Sequence, residues 1–182
     1  MNPIILILYS LSGFLMKLSD DVYDEKHNKL IASIIGVFCG IAIAYLASHN
    51  LDAAYIFFGI LIGSALSLKI DGIHHSITFL FFTIFFIIWG FGGTFLGSFN
   101  LITLAICIMA AFIDEIAHDN PKVYEVSNFL RVFFDYRFTM KIIILVLALF
   151  GFLDIWTFIY FIFFEIFYIL GELVFGMYFS ND

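Results

Sequence analysis

Long apolar runs dominate this chain, and polar residues occur almost only between them. A helix of about 20 apolar residues spans the hydrocarbon core of a bilayer, and fewer suffice where an end dips into a water-filled cavity. By that measure the chain predicts seven membrane-spanning helices, at roughly 3–18, 30–48, 52–68, 75–97, 99–117, 138–153 and 156–178. Of the 182 residues 63% are hydrophobic, more than a water-soluble domain of this length can bury, so lipid is the expected solvent. The expected fold is all-α, a single integral membrane domain over residues 1–182. The N-terminal stretch lacks a basic region and a small-residue cleavage site, so residues 4–16 read as the first membrane helix and not as a removed signal.

The basic residues predict an orientation. Lys17, Lys26, Lys29, Lys69, Lys122, Arg131, Arg137 and Lys141 all fall in or beside alternate connections, 19–29, 69–74 and 118–137. The turns Ser48-His49-Asn50, Gly97-Ser98 and Asp154 to Thr157 carry none. Positive residues stay on the cytoplasmic side, which places the N-terminus outside, the C-terminus inside and the protein in the plasma membrane. Gly90, Gly92, Gly93 and Gly97 near the end of the fourth span suggest close helix packing or a bend there.

Acidic residues follow the same asymmetry. Asp20, Asp21, Asp24 and Glu25 end the first span, Asp71 with His74 and His75 follows the third, and Asp114, Glu115, His118 and Asp119 end the fifth. A helix C-terminus already carries partial negative charge, so carboxylates there call for a cation. On a continued helix Asp20, Asp24 and Asn28 share a face with Asp21 one step around, and Glu115 and Asp119 have the same i, i+4 relation. Such oxygen clusters suit hard divalent cations, and Mg²⁺ commonly uses them to hold a substrate phosphate. A metal-and-diphosphate site at the membrane surface is therefore expected. Against it stands the plainer reading of a charged interfacial loop.

The remaining candidates divide in the same way. Asp114 lies within the apolar end of its span, where an ionisable group points to function. Adjacent His74 and His75 point to different sides of a helix, so at most one is expected to reach a shared site; the plainer reading of Asp71 to His75 is an interfacial turn. Arg131 to Arg137 mixes two arginines with aromatics, either an amphipathic anchor or a grip on phosphate beside an apolar chain. Glu165 and Glu172 share a face of the last span with Tyr168 beside them, and either line a proton or cation path or bond between helices. Cys39 and Cys107 read as small buried hydrophobes with no disulfide. A net charge of −7 argues against nucleic acid.

Asp20-Asp21-Val22-Tyr23-Asp24-Glu25-Lys26-His27-Asn28 resembles the first aspartate-rich motif of the UbiA-type intramembrane prenyltransferases, N-D-x-x-D-x-x-x-D. Asp21 and Asp24 match; Asp20 stands where that family has Asn, and Asn28 where it has the last Asp. Asp114-Glu115-Ile116-Ala117-His118-Asp119 is similar to the approach to the second motif, R-E-I-x-K-D-x-x-D, with Glu115, Ile116 and Asp119 matching and Lys122 in place of the final aspartate. Both motifs end helices four spans apart on the cytoplasmic side in that family, as here, and this chain would correspond to seven of its usual nine spans.

The resemblance implies Mg²⁺ bridging Asp21, Asp24 and Asp119 to a prenyl diphosphate, with Asp20 and Asn28 supporting, and the expected metal residues are Asp20, Asp21, Asp24, Glu115 and Asp119. The metal would stabilise the departing diphosphate while an allylic cation develops for attack by an acceptor. Asp71, His74, Asp114 and His118 would line the substrate, and charge alone nominates Lys122, Arg131 and Arg137 for the diphosphate. Two other functions compete. A cation transporter or channel would use the carboxylates as a binding site with Glu165 and Glu172 on its path, and a membrane scaffold would use the acidic face to recruit a basic partner. Polar groups gathered at one face favour the enzyme.

Overall fold

A computed structural model describes residues 1–68, 70, 72–90, 99–118 and 120–179, and among them all regular structure is helical. The helices are α1 (Pro3–Asp24), α2 (Lys29–His49), α3 (Leu51–Leu66), α4 (Ile73–Gly90), α5 (Leu101–Ala117), α6 (Pro121–Val126), α7 (Asn128–Asp135), α8 (Phe138–Leu149) and α9 (Ile155–Phe179). Their starts are written locally. Asn2, Asn28, Asn50, Asn100 and Asn120 each accept a backbone N–H from the first turn of the helix that follows, and Pro3 and Pro121 sit where a missing N–H costs nothing.

Each expected span has a helix in its place. Four helices, α1, α2, α4 and α9, are long and apolar enough to cross a membrane, whereas α3, α5 and α8 have only 16, 17 and 12 residues. Large apolar side chains such as Ile7, Phe38, Ile88 and Leu173 face outward, as on the surface of a membrane protein. Three boundaries differ from expectation. The first helix runs on through Asp24, so its acids ride on helix and not on loop. It stops there, and Asn28 begins α2 in place of continuing the Asp20–Asp24 face. The connection 118–137 folds into the short α6 and α7.

Packing runs from α1 to α2, α3, α5, α8, α9 and back to α1, closing a ring of six helices, with α4 outside it against α2. Tyr9, Ile43, Phe57 and Phe161 are fully buried in this ring, Tyr9 and Phe57 with ring centroids 5.3 Å apart. Among the described residues, close approach of helices is made at Gly13, Gly36, Gly40, Gly59 and Gly63. Gly13 of α1 faces the Phe164 backbone of α9, and a Cβ there would overlap the Phe164 carbonyl oxygen. A Cβ at Gly90 would meet first the Phe86 ring of its own helix, while Gly92, Gly93 and Gly97, with the Gly97-Ser98 turn, lie outside the described residues. Gly13→Val is therefore expected to force α1 off α9 and to destabilise the protein by about 1–3 kcal/mol, the usual cost of overpacking. Thermal unfolding in detergent checks this: an unchanged midpoint would mean that the two helices do not pack this closely.

Candidate functional site

The ring encloses a polar cavity toward the end where α1 and α5 finish. It has two adjoining lobes of about 370 and 300 Å³, and Lys17, Glu115, His118, Arg137 and Tyr168 border both. The first lobe reaches past Asp114 and Glu165 to Phe161 and Phe164, so an apolar interior continues the polar mouth. The second is lined by Asp20, Asp21 and Asp24 of α1 together with His74 and His75 of α4. Thus acids far apart in sequence meet around one space.

Basic groups accompany nearly all of them. Lys17 Nζ lies 2.9 Å from Asp21 Oδ1 and 3.8 Å from Glu172 Oε2, while Arg137 lies 3.3 Å from Glu115 Oε1. Glu115 also accepts from the Ser64 hydroxyl at 3.4 Å. Lys17 and Arg137 sit 5.7 and 5.9 Å from the centre of the Tyr168 ring, within reach of its π face. Burial works against the Arg137 guanidinium charge, but Tyr168, Glu115, Asp20 and Glu165 outweigh it and hold its pKa above the ordinary value. The cavity therefore presents two cations among its carboxylates, a surface suited to a ligand that brings both an anion and a metal. One oxygen is left over: Asp21 Oδ2 is buried with no hydrogen-bond partner among the described residues.

Several expected residues have other work. Asp114 Oδ1 and Oδ2 accept the backbone N–H groups of Thr139 at 3.1 Å and Met140 at 2.8 Å, so α5 supplies the N-terminal cap of α8. That cap replaces the one Arg137 cannot make, since Arg137 precedes α8 in a left-handed conformation with φ 48° and no side-chain cap bond. Asp114 lines the cavity wall, but its submerged charge serves the fold. Asn28 is exposed and caps α2 through Ile31 N–H, outside the cavity lining. Lys122 is exposed on α6, also off the lining, and Arg131 is exposed on α7, where it pairs with Asp135 at 3.8 Å and lies over the Tyr124 ring. His118 lines both lobes with its Nδ1 4.0 Å from Asp135. Asp71 and Asp119, as well as Lys69, lie outside the described residues.

The histidines correct another expectation. His74 Nε2 lies 3.2 Å and His75 Nδ1 3.8 Å from the same Asp20 Oδ1, with the imidazole rings 3.9 Å apart. Two adjacent side chains reach one point because both stand in the first turn of α4, where each can swing back past the helix end toward α1. Residues that the sequence reading left out of the site are Lys17, His75, Glu165 and Tyr168. The i, i+4 spacing of Lys17 and Asp21, and the acid at 165 inside an apolar helix, were the available signals. Glu165 pairs with Lys141 at 2.9 Å, both side chains largely buried, which is the interhelical bond expected as one of its two readings. Cys39 and Cys107 are free and buried, as expected.

No known protein family matches this chain, and no curated protein or solved structure matches it either.

Proposed function

We propose that the cavity binds the diphosphate of an isoprenoid donor through Mg²⁺, and that the protein is an intramembrane enzyme of prenyl transfer. The observation that carries this reading is the unpartnered buried oxygen of Asp21, set beside Lys17 in a cavity that Arg137 also enters. Oxygen donors fit Mg²⁺, and Asp21 and Asp24 are the carboxylates of α1 best placed to offer them. When bound, the metal would neutralise charge on the departing diphosphate. Lys17 and Arg137 would hold the phosphate oxygens by charge-assisted hydrogen bonds, each exchanging a carboxylate partner for a phosphate. Tyr168 lies against both cations, and the apolar part of the first lobe, at Ile60, Met140, Phe161 and Phe164, would take the prenyl chain.

The proposal includes seven membrane crossings, with the cavity opening to the cytoplasm of a cell whose plasma membrane holds the protein. The basic residues beside the cavity support that orientation. The deep acid Glu165 is matched by Lys141 and is not a free carboxylate in a file of others, which weighs against cation passage.

Binding of a prenyl diphosphate to the detergent-purified protein, with and without Mg²⁺, tests this. Binding is expected to require the metal. Asp21→Asn and Asp24→Asn should each weaken it by at least the ~10–100-fold that loss of even an outer-shell metal partner costs. Binding that ignores Mg²⁺, or that survives both substitutions, would overturn the reading.

A further inference from the structure

We infer that Asp20, His74 and His75 form a second metal site, selective for a divalent transition metal of the Zn²⁺ class over Mg²⁺. One ligand atom from each of the three lies within 4.8 Å of the others, with Asp20 Oδ1 3.2 Å from His74 Nε2 and 3.8 Å from His75 Nδ1. Atoms bound to a common ion at about 2.0–2.2 Å stand roughly this far apart, so modest closure brings the three onto one metal. Two imidazoles and one carboxylate are borderline donors that favour Zn²⁺ or Fe²⁺, whereas Mg²⁺ takes oxygen and retains water. Three protein ligands also leave coordination positions open, and all three residues line the cavity.

The surroundings hold this geometry in place. His74 is 2% exposed, packs against the Tyr23 ring at 4.3 Å, and keeps Nδ1 buried without a hydrogen-bond partner among the described residues. Gly72 abuts the His74 imidazole; a Cβ there would overlap its Cε1 and Nδ1. Asp20 comes from α1 and the two histidines from α4, which otherwise meet little, so the ion would also tie α4, already packed on α2, to α1. The site stands apart from the prenyl-diphosphate reading, because it uses neither Asp21, Asp24, Lys17 nor Arg137.

The test uses protein purified in detergent without an oligohistidine tag, stripped with a chelator and titrated with Zn²⁺ alone in excess Mg²⁺. One Zn²⁺ per chain is expected, and Co²⁺ in its place should give a visible ligand-field spectrum. His74→Ala and His75→Gln should each lower Zn²⁺ affinity at least tenfold and bleach the Co²⁺ spectrum, while His49→Ala, at the other end of α2, changes neither. Should His74→Ala fail to fold, the partly exposed His75 reads the same loss. Failure of the wild type to bind Zn²⁺, its displacement by Mg²⁺, or indifference to His75→Gln would overturn the inference. No diphosphate is present, so the outcome leaves the function proposed above to its own test.

Discussion

Replacing Lys141 by Met is expected to destabilise the protein by about 3–5 kcal/mol, the range for removing one partner of a buried ion pair. The pair is compact: Nζ lies 2.9 Å from Glu165 Oε2, with 14% and 17% of the two side chains exposed. Lys141 Nζ also donates to the Tyr136 carbonyl, so the same side chain ties the entry of α8 to the middle of α9. Without it Glu165 would lose its ion-pair partner among Phe161, Phe164 and Tyr168 on an apolar helix, where a carboxylate without a direct partner is poorly tolerated. Lys141→Met with Glu165→Met should recover most of the loss, since well-packed apolar residues commonly replace a buried pair at little cost. Denaturant or thermal unfolding in detergent micelles measures both. A single variant as stable as wild type, or a double variant no better than the single, would show that the pair does not act as a unit.

The second large effect concerns ligand binding. Arg137→Asn is expected to weaken the binding of a prenyl diphosphate ~10–150-fold, the equivalent of a charged hydrogen bond worth about 1.5–3 kcal/mol. Asparagine suits this position because it accepts the left-handed backbone that Arg137 adopts, so the turn into α8 should survive while the charge is lost. Arg131→Ala is the comparison. Arg131 sits only six positions earlier in the chain but is 63% exposed on its side chain and pairs with Asp135 on the same short helix. Its loss should leave binding unchanged. Equal losses in the two variants would point to general electrostatic attraction and not to a grip inside the cavity. Arg137→Lys should rescue only part of the affinity, because an ammonium does not reproduce the forked donors of guanidinium.

The two arginines illustrate what sequence patterning can and cannot supply. Both lie in one aromatic-rich segment shortly before the apolar run that starts at Phe138, so patterning treats them alike. They differ because α7 is too short to enter the ring and leaves Arg131 outside. The reversal of backbone at Arg137, by contrast, turns its side chain back toward Glu115. The same holds for the submerged acids. A carboxylate within an apolar run signals a special environment, and both Asp114 and Glu165 have one. Whether the partner is a ligand, a lysine or a pair of backbone N–H groups depends on which helix arrives beside it.

By itself, the sequence determined the helical class, the places of the apolar helices and the gathering of acids at one end. These follow from local physics: hydrophobic run length against bilayer thickness, and asparagine and proline at helix starts. It also nominated Asp20, Asp21, Asp24 and Glu115, which do border one cavity. Only the tertiary structure decided that His74 and His75 converge on Asp20, that Lys17 and Arg137 face the same space, and that Asp114 serves as a cap. Each of these depends on contacts between helices distant in the chain, made possible by close approaches such as Gly13 against Phe164. Periodicity records which face of a helix a residue occupies, but not what the fold brings against that face.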